Sequence, residues 1–185
     1  MSFVHLHCHS EFSILECPNR IQALIDKAKE CNMEALALTD NATMYGAIEF
    51  YQRAKQAGIK PILGVDLYIT RDMAVKERWQ HRVIVLAKSF VGYQQLVKMV
   101  SLAHLEGMYY KPRLDLEALK KFNNDVIVIS PSGRGPVASY LLAHNEEQAD
   151  AVAKGLKETF GDDFYLGIQR AGEPHQELVE QGYAT

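Results

Sequence analysis

The stretch that decides the fold is ALALTDNATMYGAIEFYQRAKQAGIKPILGVDLYI, residues 35–69. It opens on the short apolar run ALAL, which Thr39-Asp40 ends, and this reads as a strand. Residues 44–57 carry apolar positions at helical spacing and stop at Gly58, and residues 61–68 form a second apolar run rich in strand formers. A strand, a helix and a strand in succession make a βα unit, and the rest of the chain repeats the theme.

Toward the N-terminus, residues 3–7 read as a strand, followed by the polar stretch 9–11 and by Pro18-Asn19. A helix begins there: Asn19 with Gln22 three residues later resembles a capping box, and Ile21, Leu24, Ile25 and Ala28 recur at helical spacing. Toward the C-terminus, strands are expected at 83–87, 126–129 and 164–168. Helices are expected at 91–105, with Leu96, Val97 and Val100 on one stripe, and at 146–160. Six strand candidates alternating with helices predict an α/β fold with a parallel sheet, either doubly wound or closed as a barrel. Polar residues gather where these strands end: His7 and His9, Asp40 and Asn41, Asp66, Ser130 and Ser132, and Gln169-Arg170. That is where the functional rim of a βα barrel lies. No glycine-rich dinucleotide or P-loop motif follows the first strand.

With 185 residues and 48% hydrophobic composition, the chain is expected to form one domain over 1–185 with a sizeable core. A net charge of −3 excludes a broad basic footprint, so DNA, if the protein serves it, is expected to be held mainly by other domains. No run of about 18 apolar residues and no signal-peptide pattern is present, which predicts a cytoplasmic protein with no membrane partner. Cys8, Cys17 and Cys31 lack CxxC spacing and read as reduced thiols rather than as a disulfide framework or zinc ribbon.

The densest chemical signal is HLHCH at residues 5–9. Strand alternation would put the three imidazoles on one side and Leu6 and Cys8 on the other. Imidazoles at i and i+2 of a strand end can bind one zinc, iron or related ion, and they can equally anchor a loop by hydrogen bonds. Glu16, Asp40, Asp66 and His81 are the candidate partners, each near a strand terminus on the same expected rim. An Asp after a strand also serves as a helix cap, and a histidine beside Trp79 also serves as a packed core residue. SPSGRGP at 130–136 offers Arg134 and backbone N–H groups to an anion, or is a plain turn into a helix. Arg170, at the end of the last strand, is a second candidate for phosphate or DNA contact. YYKPR at 109–113 could stack on nucleic acid or form a surface loop.

FVHLHCHSEFSIL (3–15), the 35–69 stretch, HRVIVLAKSFVGYQQLVKMVSLAH (81–104), KPRLDLEAL (111–119) and FYLGIQRAG (164–172) together resemble the PHP (polymerase and histidinol phosphatase) domain at the N-terminus of bacterial DNA polymerase III alpha subunits. They cover nearly the whole chain in order. The resemblance implies a distorted (β/α)7 barrel, TIM-like, whose rim in complete members binds up to three metal ions and hydrolyses phosphoesters, in some alpha subunits as a 3′–5′ proofreading exonuclease. It implies metal ligands at His7, His9 and His81, with Glu16 where Asp is usual and Asp66 where Glu is usual. Two ligand positions are lost: Asn41 stands for a histidine and Ser132 for a cysteine or histidine, and Gly167 stands where glutamate is common. A final Asp-x-His pair is expected beyond Thr185, so the barrel is expected to be incomplete at its C-terminal end.

Three functions follow from the resemblance. The first is a structural and partner-docking module of a polymerase, with zinc, manganese or iron at an incomplete site or no metal, and with the rest of the polymerase chain and a separate proofreading exonuclease subunit as partners. The second is an active metal-dependent phosphoesterase using His7, His9, Glu16, Asp66 and His81. The third is a free-standing enzyme of the histidinol phosphatase kind.

Overall fold

The computed structural model describes residues 3–78, 80–170, 172 and 175–184, so Trp79 and Ala171 fall outside the described residues. In chain order the elements are α1 (Ile21–Glu30), β1 (Ala35–Leu38), α2 (Ala47–Gln56), β2 (Lys60–Ile69), β3 (His81–Ala87), α3 (Phe90–Leu105), β4 (Met108–Tyr109), β5 (Lys111–Leu114), α4 (Leu116–Lys120), β6 (Val126–Pro131), α5 (Pro136–Leu142), α6 (Glu146–Phe160), β7 (Phe164–Gly167) and α7 (Gln176–Ala184). Among the described residues no helix is long and apolar enough to cross a membrane.

The α/β architecture is organised on β2. One of its edges takes β1 in parallel, from Ala35 opposite Lys60 to Leu38 opposite Leu63. The pairing runs on past β1: Asp66 N donates to Asp40 O at 3.1 Å and Ala42 N to Asp66 O at 2.8 Å, so Asn41 bridges Asp66. Beyond that point β5 joins the same edge at Tyr68 and Ile69. The opposite edge takes β3, which continues to β6 and then β7. The sheet therefore runs β4-β5-β2-β3-β6-β7 with β1 beside β2, and among the described residues no hydrogen bonds join β4 to β7.

Three sequence expectations change. The sheet is mixed rather than all parallel, because β3 runs antiparallel to both β2 and β6. The described residues between Thr70 and Gln80 contain no helix, and without a crossover the chain can only turn back. Residues 3–7 lie along β1 without becoming a strand: Ala37 N donates to His5 O at 3.0 Å and Thr39 N to Cys8 O at 2.8 Å, but Cys8 N goes to Thr39 Oγ1 at 3.0 Å instead of completing the ladder. Residues 109–113 belong to a β4–β5 hairpin rather than a surface loop, with Tyr110 at φ 58° making the turn.

The main core lies on one face of the sheet, where Val65, Leu67, Ile69, Val83, Val85, Val126 and Val128 meet Leu96, Met99 and Ala103 of α3 and Leu156 and Phe160 of α6. The buried stripe of α3 is thus Gly92, Leu96, Met99 and Ala103, and Val97 is exposed. Each fully buried Val or Leu contributes about 1.5–3 kcal/mol. A smaller cluster on the other face contains Ala37, Ile84 and Leu86. β3 register places Arg82 opposite Tyr68 and Ile84 opposite Asp66 on that same face, which is how an otherwise apolar layer comes to carry charge. A third cluster packs Ile21, Ile25 and Ala28 of α1 on Phe50 and Ala54 of α2. The expected Asn19 and Gln22 cap does not form. Arg20 occupies the cap position without a side-chain bond, and Ile21 N donates to Glu11 Oε2 at 3.0 Å.

Candidate metal centre

Asp40 fixes the segment that carries the histidines. Its buried carboxylate accepts from Ser10 N at 2.6 Å, Ser10 Oγ at 2.7 Å and Ser13 Oγ at 2.6 Å. Ser13 Oγ accepts in turn from Asn41 N at 3.1 Å. Asp40 therefore caps no helix here; its carboxylate clamps the loop that follows His9 onto the end of β1.

That clamp brings His7 and His9 over the middle of β2. Their Nε2 atoms lie 3.1 Å apart, and each faces Asp66 Oδ2, at 3.2 Å and 3.4 Å. Two imidazole nitrogens and one carboxylate oxygen aimed at a common point form a potential ligand set, the one group of its kind among the described residues. Asp66 is buried, and its second oxygen, Oδ1, has no protein partner. His5 does not join the group; it makes an edge contact with Phe3. The histidines open onto a cleft of about 570 Å³ that Cys8, Cys17 and Cys31, all free thiols, also line.

Beside this group sits a side chain that sequence reasoning missed. The buried guanidinium of Arg82 donates through Nη1 to Asp66 Oδ2 at 2.9 Å and to Asn41 Oδ1. Through Nη2 it reaches Glu16 Oε2 at 2.8 Å and the Tyr68 hydroxyl at 3.0 Å. Arginine has no acceptor, so it fixes the Asn41 amide with its oxygen inward, and Asn41 Nδ2 donates to Glu16 Oε2 at 2.8 Å. Tyr68 also donates to Glu16 Oε1 at 3.2 Å, and Lys111 lies 3.6 Å from the same oxygen. Burial works to raise the Asp66 carboxyl, but the bonds to His7 and His9 and the Arg82 charge outweigh it and hold the group well below the usual carboxylate range. For Glu16 the same contest between burial and Arg82 also ends in a lowered value.

The remaining expected residues lie apart from this group. His81 is turned to Tyr140 of α5, ring centroids 5.8 Å apart, and is paired across the ladder with Ile69. Alternation along β3 gives the inward position to Arg82 and the other face to His81, and burial and the Arg71 charge push the His81 imidazole down to about 4. Ser132 is buried, and its hydroxyl accepts from Gln169 N at 3.1 Å. The 130–136 segment finishes β6 at Pro131 and then turns into α5, with Gly135 at the cap and Pro136 first in the helix. Arg134 has an exposed side chain, while its carbonyl accepts from Arg82 N at 2.8 Å. Arg170 pairs with Glu180 at 3.1 Å on the surface.

A family profile for the PHP domain matches residues 5–171. The chain belongs to the PHP domain family. This PHP domain is 40% identical over 185 residues to the DNA polymerase III subunit alpha of Borreliella burgdorferi, covering 97% of the chain and 16% of that protein. It is 34% identical over 190 residues to the same subunit of Aquifex aeolicus, again covering 97% of the chain and 16% of the relative. The chain thus spans about one sixth of the length of the curated relatives it matches. Among solved structures, a Bifidobacterium adolescentis protein named for an inferred metal-dependent phosphoesterase activity superposes with a TM-score of 0.64 over 100% of this chain and 84% of its own, at 12% identity. That likeness shows a shared fold.

Proposed function

We propose that this PHP domain is part of a bacterial replicative DNA polymerase III alpha subunit, where it acts as a structural and partner-docking module around a reduced metal centre. The observation that carries the reading is the position of Arg82, whose guanidinium engages Asp66 and Glu16 at 2.9 Å and 2.8 Å. His7, His9 and Asp66, with the unpartnered Asp66 Oδ1, fit one zinc, manganese or iron ion. They do not fit a cluster, since Glu16, Asn41 and Ser132 are committed to other partners and His81 faces away. An ion held there would supply Lewis-acid polarisation of a phosphoryl oxygen. The chain's own contribution is to hold that ligand set by the Asp40 clamp and to keep Asp66 ionised.

On this reading the partners are the remainder of the polymerase chain and a separate proofreading exonuclease subunit in the cytoplasm, with DNA gripped mainly by other domains, in keeping with the net charge of −3. A second reading, a one-ion phosphoesterase with its own 3′–5′ exonuclease activity, is favoured by Asp66 Oδ1 alone. A primer-template with a mismatched 3′ end, incubated with the full-length protein and its His9→Ala variant, separates the two. The docking reading expects no excision that depends on His9 and expects an exonuclease subunit to co-purify. Robust excision lost in His9→Ala contradicts it.

A further inference from the structure

We infer that the Arg82 guanidinium is the resident cation of this rim, seated in a pocket of side-chain oxygens that would otherwise take a second metal ion. The inference rests on reading the rim as a reduced metal centre and goes beyond it by naming what replaces the missing charge. Four oxygen-bearing side chains converge on one group: Asp66 and Glu16, the Asn41 carbonyl and the Tyr68 hydroxyl. Two carboxylates, an amide oxygen and a phenol are the hard-oxygen donors that suit a divalent cation. Here they surround a planar fork whose charge is permanent and whose N–H groups match them one by one. The Tyr68 ring closes one side, with the guanidinium carbon 4.6 Å from its centroid.

The charge count supports the same assignment. Asp66 and Glu16 bring two negative charges, and Arg82 with Lys111, 3.6 Å from Glu16, brings two positive ones. A second divalent ion would therefore enter a site already neutral and already holding a cation, so it has to displace the guanidinium. The six residues, Lys111 included, come from the 13–16 turn, the chain after β1, β2, β3 and β5, so the resident cation also ties together the segments that form the rim. β-Strand register made this placement obligatory: with Tyr68 opposite Arg82, the charged side chain is delivered to the face that Asp66 occupies two residues earlier.

The test compares the full-length protein with Arg82→Ala in metal-free buffer. Arg82→Ala is expected to lower the melting temperature of this domain by on the order of 10 °C, because two carboxylates lose their counter-charge. Millimolar guanidinium chloride, against matched sodium chloride, is expected to raise the melting temperature of Arg82→Ala while leaving or lowering that of the wild type. Titration with Mn²⁺ is expected to show one more bound equivalent in Arg82→Ala than in the wild type, and the extra equivalent should vanish in Arg82→Ala combined with Glu16→Gln. If Arg82→Ala does not fold unaided, folding restored by guanidinium or Mn²⁺ supports the inference and folding restored by neither overturns it. An unchanged melt together with an unchanged Mn²⁺ count also overturns it. These readouts do not involve excision, so a His9-dependent exonuclease would refute the docking reading without deciding the role of Arg82.

Discussion

Replacing Asp40 with alanine distinguishes a structural carboxylate from a catalytic one. In the folded protein Asp40, Ser10 and Ser13 are at most 2% exposed, and the carboxylate accepts from Ser10 N, Ser10 Oγ and Ser13 Oγ at 2.6–2.7 Å. Hydrogen bonds to a charged acceptor contribute about 1.5–3 kcal/mol each, and donors left buried without an acceptor cost about 1–3 kcal/mol each. The three share one acceptor group and so do not add fully, which places Asp40→Ala at a loss of about 4 kcal/mol. Asp40→Asn keeps an oxygen for the two bonds made by Oδ1, and its amide can donate to Ser10 Oγ in place of the third, so it should lose about half as much. Urea denaturation measures both. Because the clamp positions the segment carrying His9, Asp40→Ala should also weaken metal binding at His7 and His9, in proportion to how far the loop opens. A stability within about 0.5 kcal/mol of wild type, as for an ordinary surface change, would refute the clamp.

Two further outcomes follow from buried cations and imidazoles. His81 has an ordinary value of 6.5 and is pushed down to about 4 in the folded state, so between these values the denatured chain binds a proton that the folded chain does not. Stability must therefore fall as pH drops below about 6.5, by about 1–2 kcal/mol at pH 5 after allowing for partial solvent screening. His81→Gln should flatten that part of a urea-stability profile, and an unchanged slope would contradict the assignment. Arg113, 1% exposed, donates to the carbonyls of Gly107, Val75, Glu77 and Met73 and so holds the chain between β2 and β3. Arg113→Lys keeps the charge without the fork and should cost about 3 kcal/mol while exposing residues 71–80 to limited proteolysis. Equal protease resistance would argue that the loop is held by other contacts.

The sequence revealed the α/β alternation because apolar periodicity changes sharply between runs such as 35–38 and 44–57. It did not reveal the direction of β3, since strand direction depends on the connection, although residues 70–80 carry no helical periodicity and that signal was available. Residues 3–7 look like a strand, but the pairing with β1 does not continue as a ladder, because Cys8 N turns to the Thr39 hydroxyl where a ladder bond would form. At the rim, His7 and His9 were legible from their spacing, and Asp66 and Glu16 from the family pattern. Arg82 was not. It adjoins the more conspicuous His81, and only the alternation of β3 against β2 decides which of the two neighbours enters the centre. The exposed Arg134 and the Glu180-paired Arg170 show the reverse case, cations prominent in sequence that the fold leaves outside it.

On the proposed reading this rim retains donors for one ion. Metal content of the full-length protein after saturation with Mn²⁺ or Zn²⁺ and removal of free metal, combined with anomalous scattering from its crystals, counts and locates the bound ions. At most one ion, bound by His7, His9 and Asp66 with Arg82 in place beside it, is the predicted result. Two or three ordered ions within the pocket, with Glu16 turned from Arg82 to metal, would contradict the account.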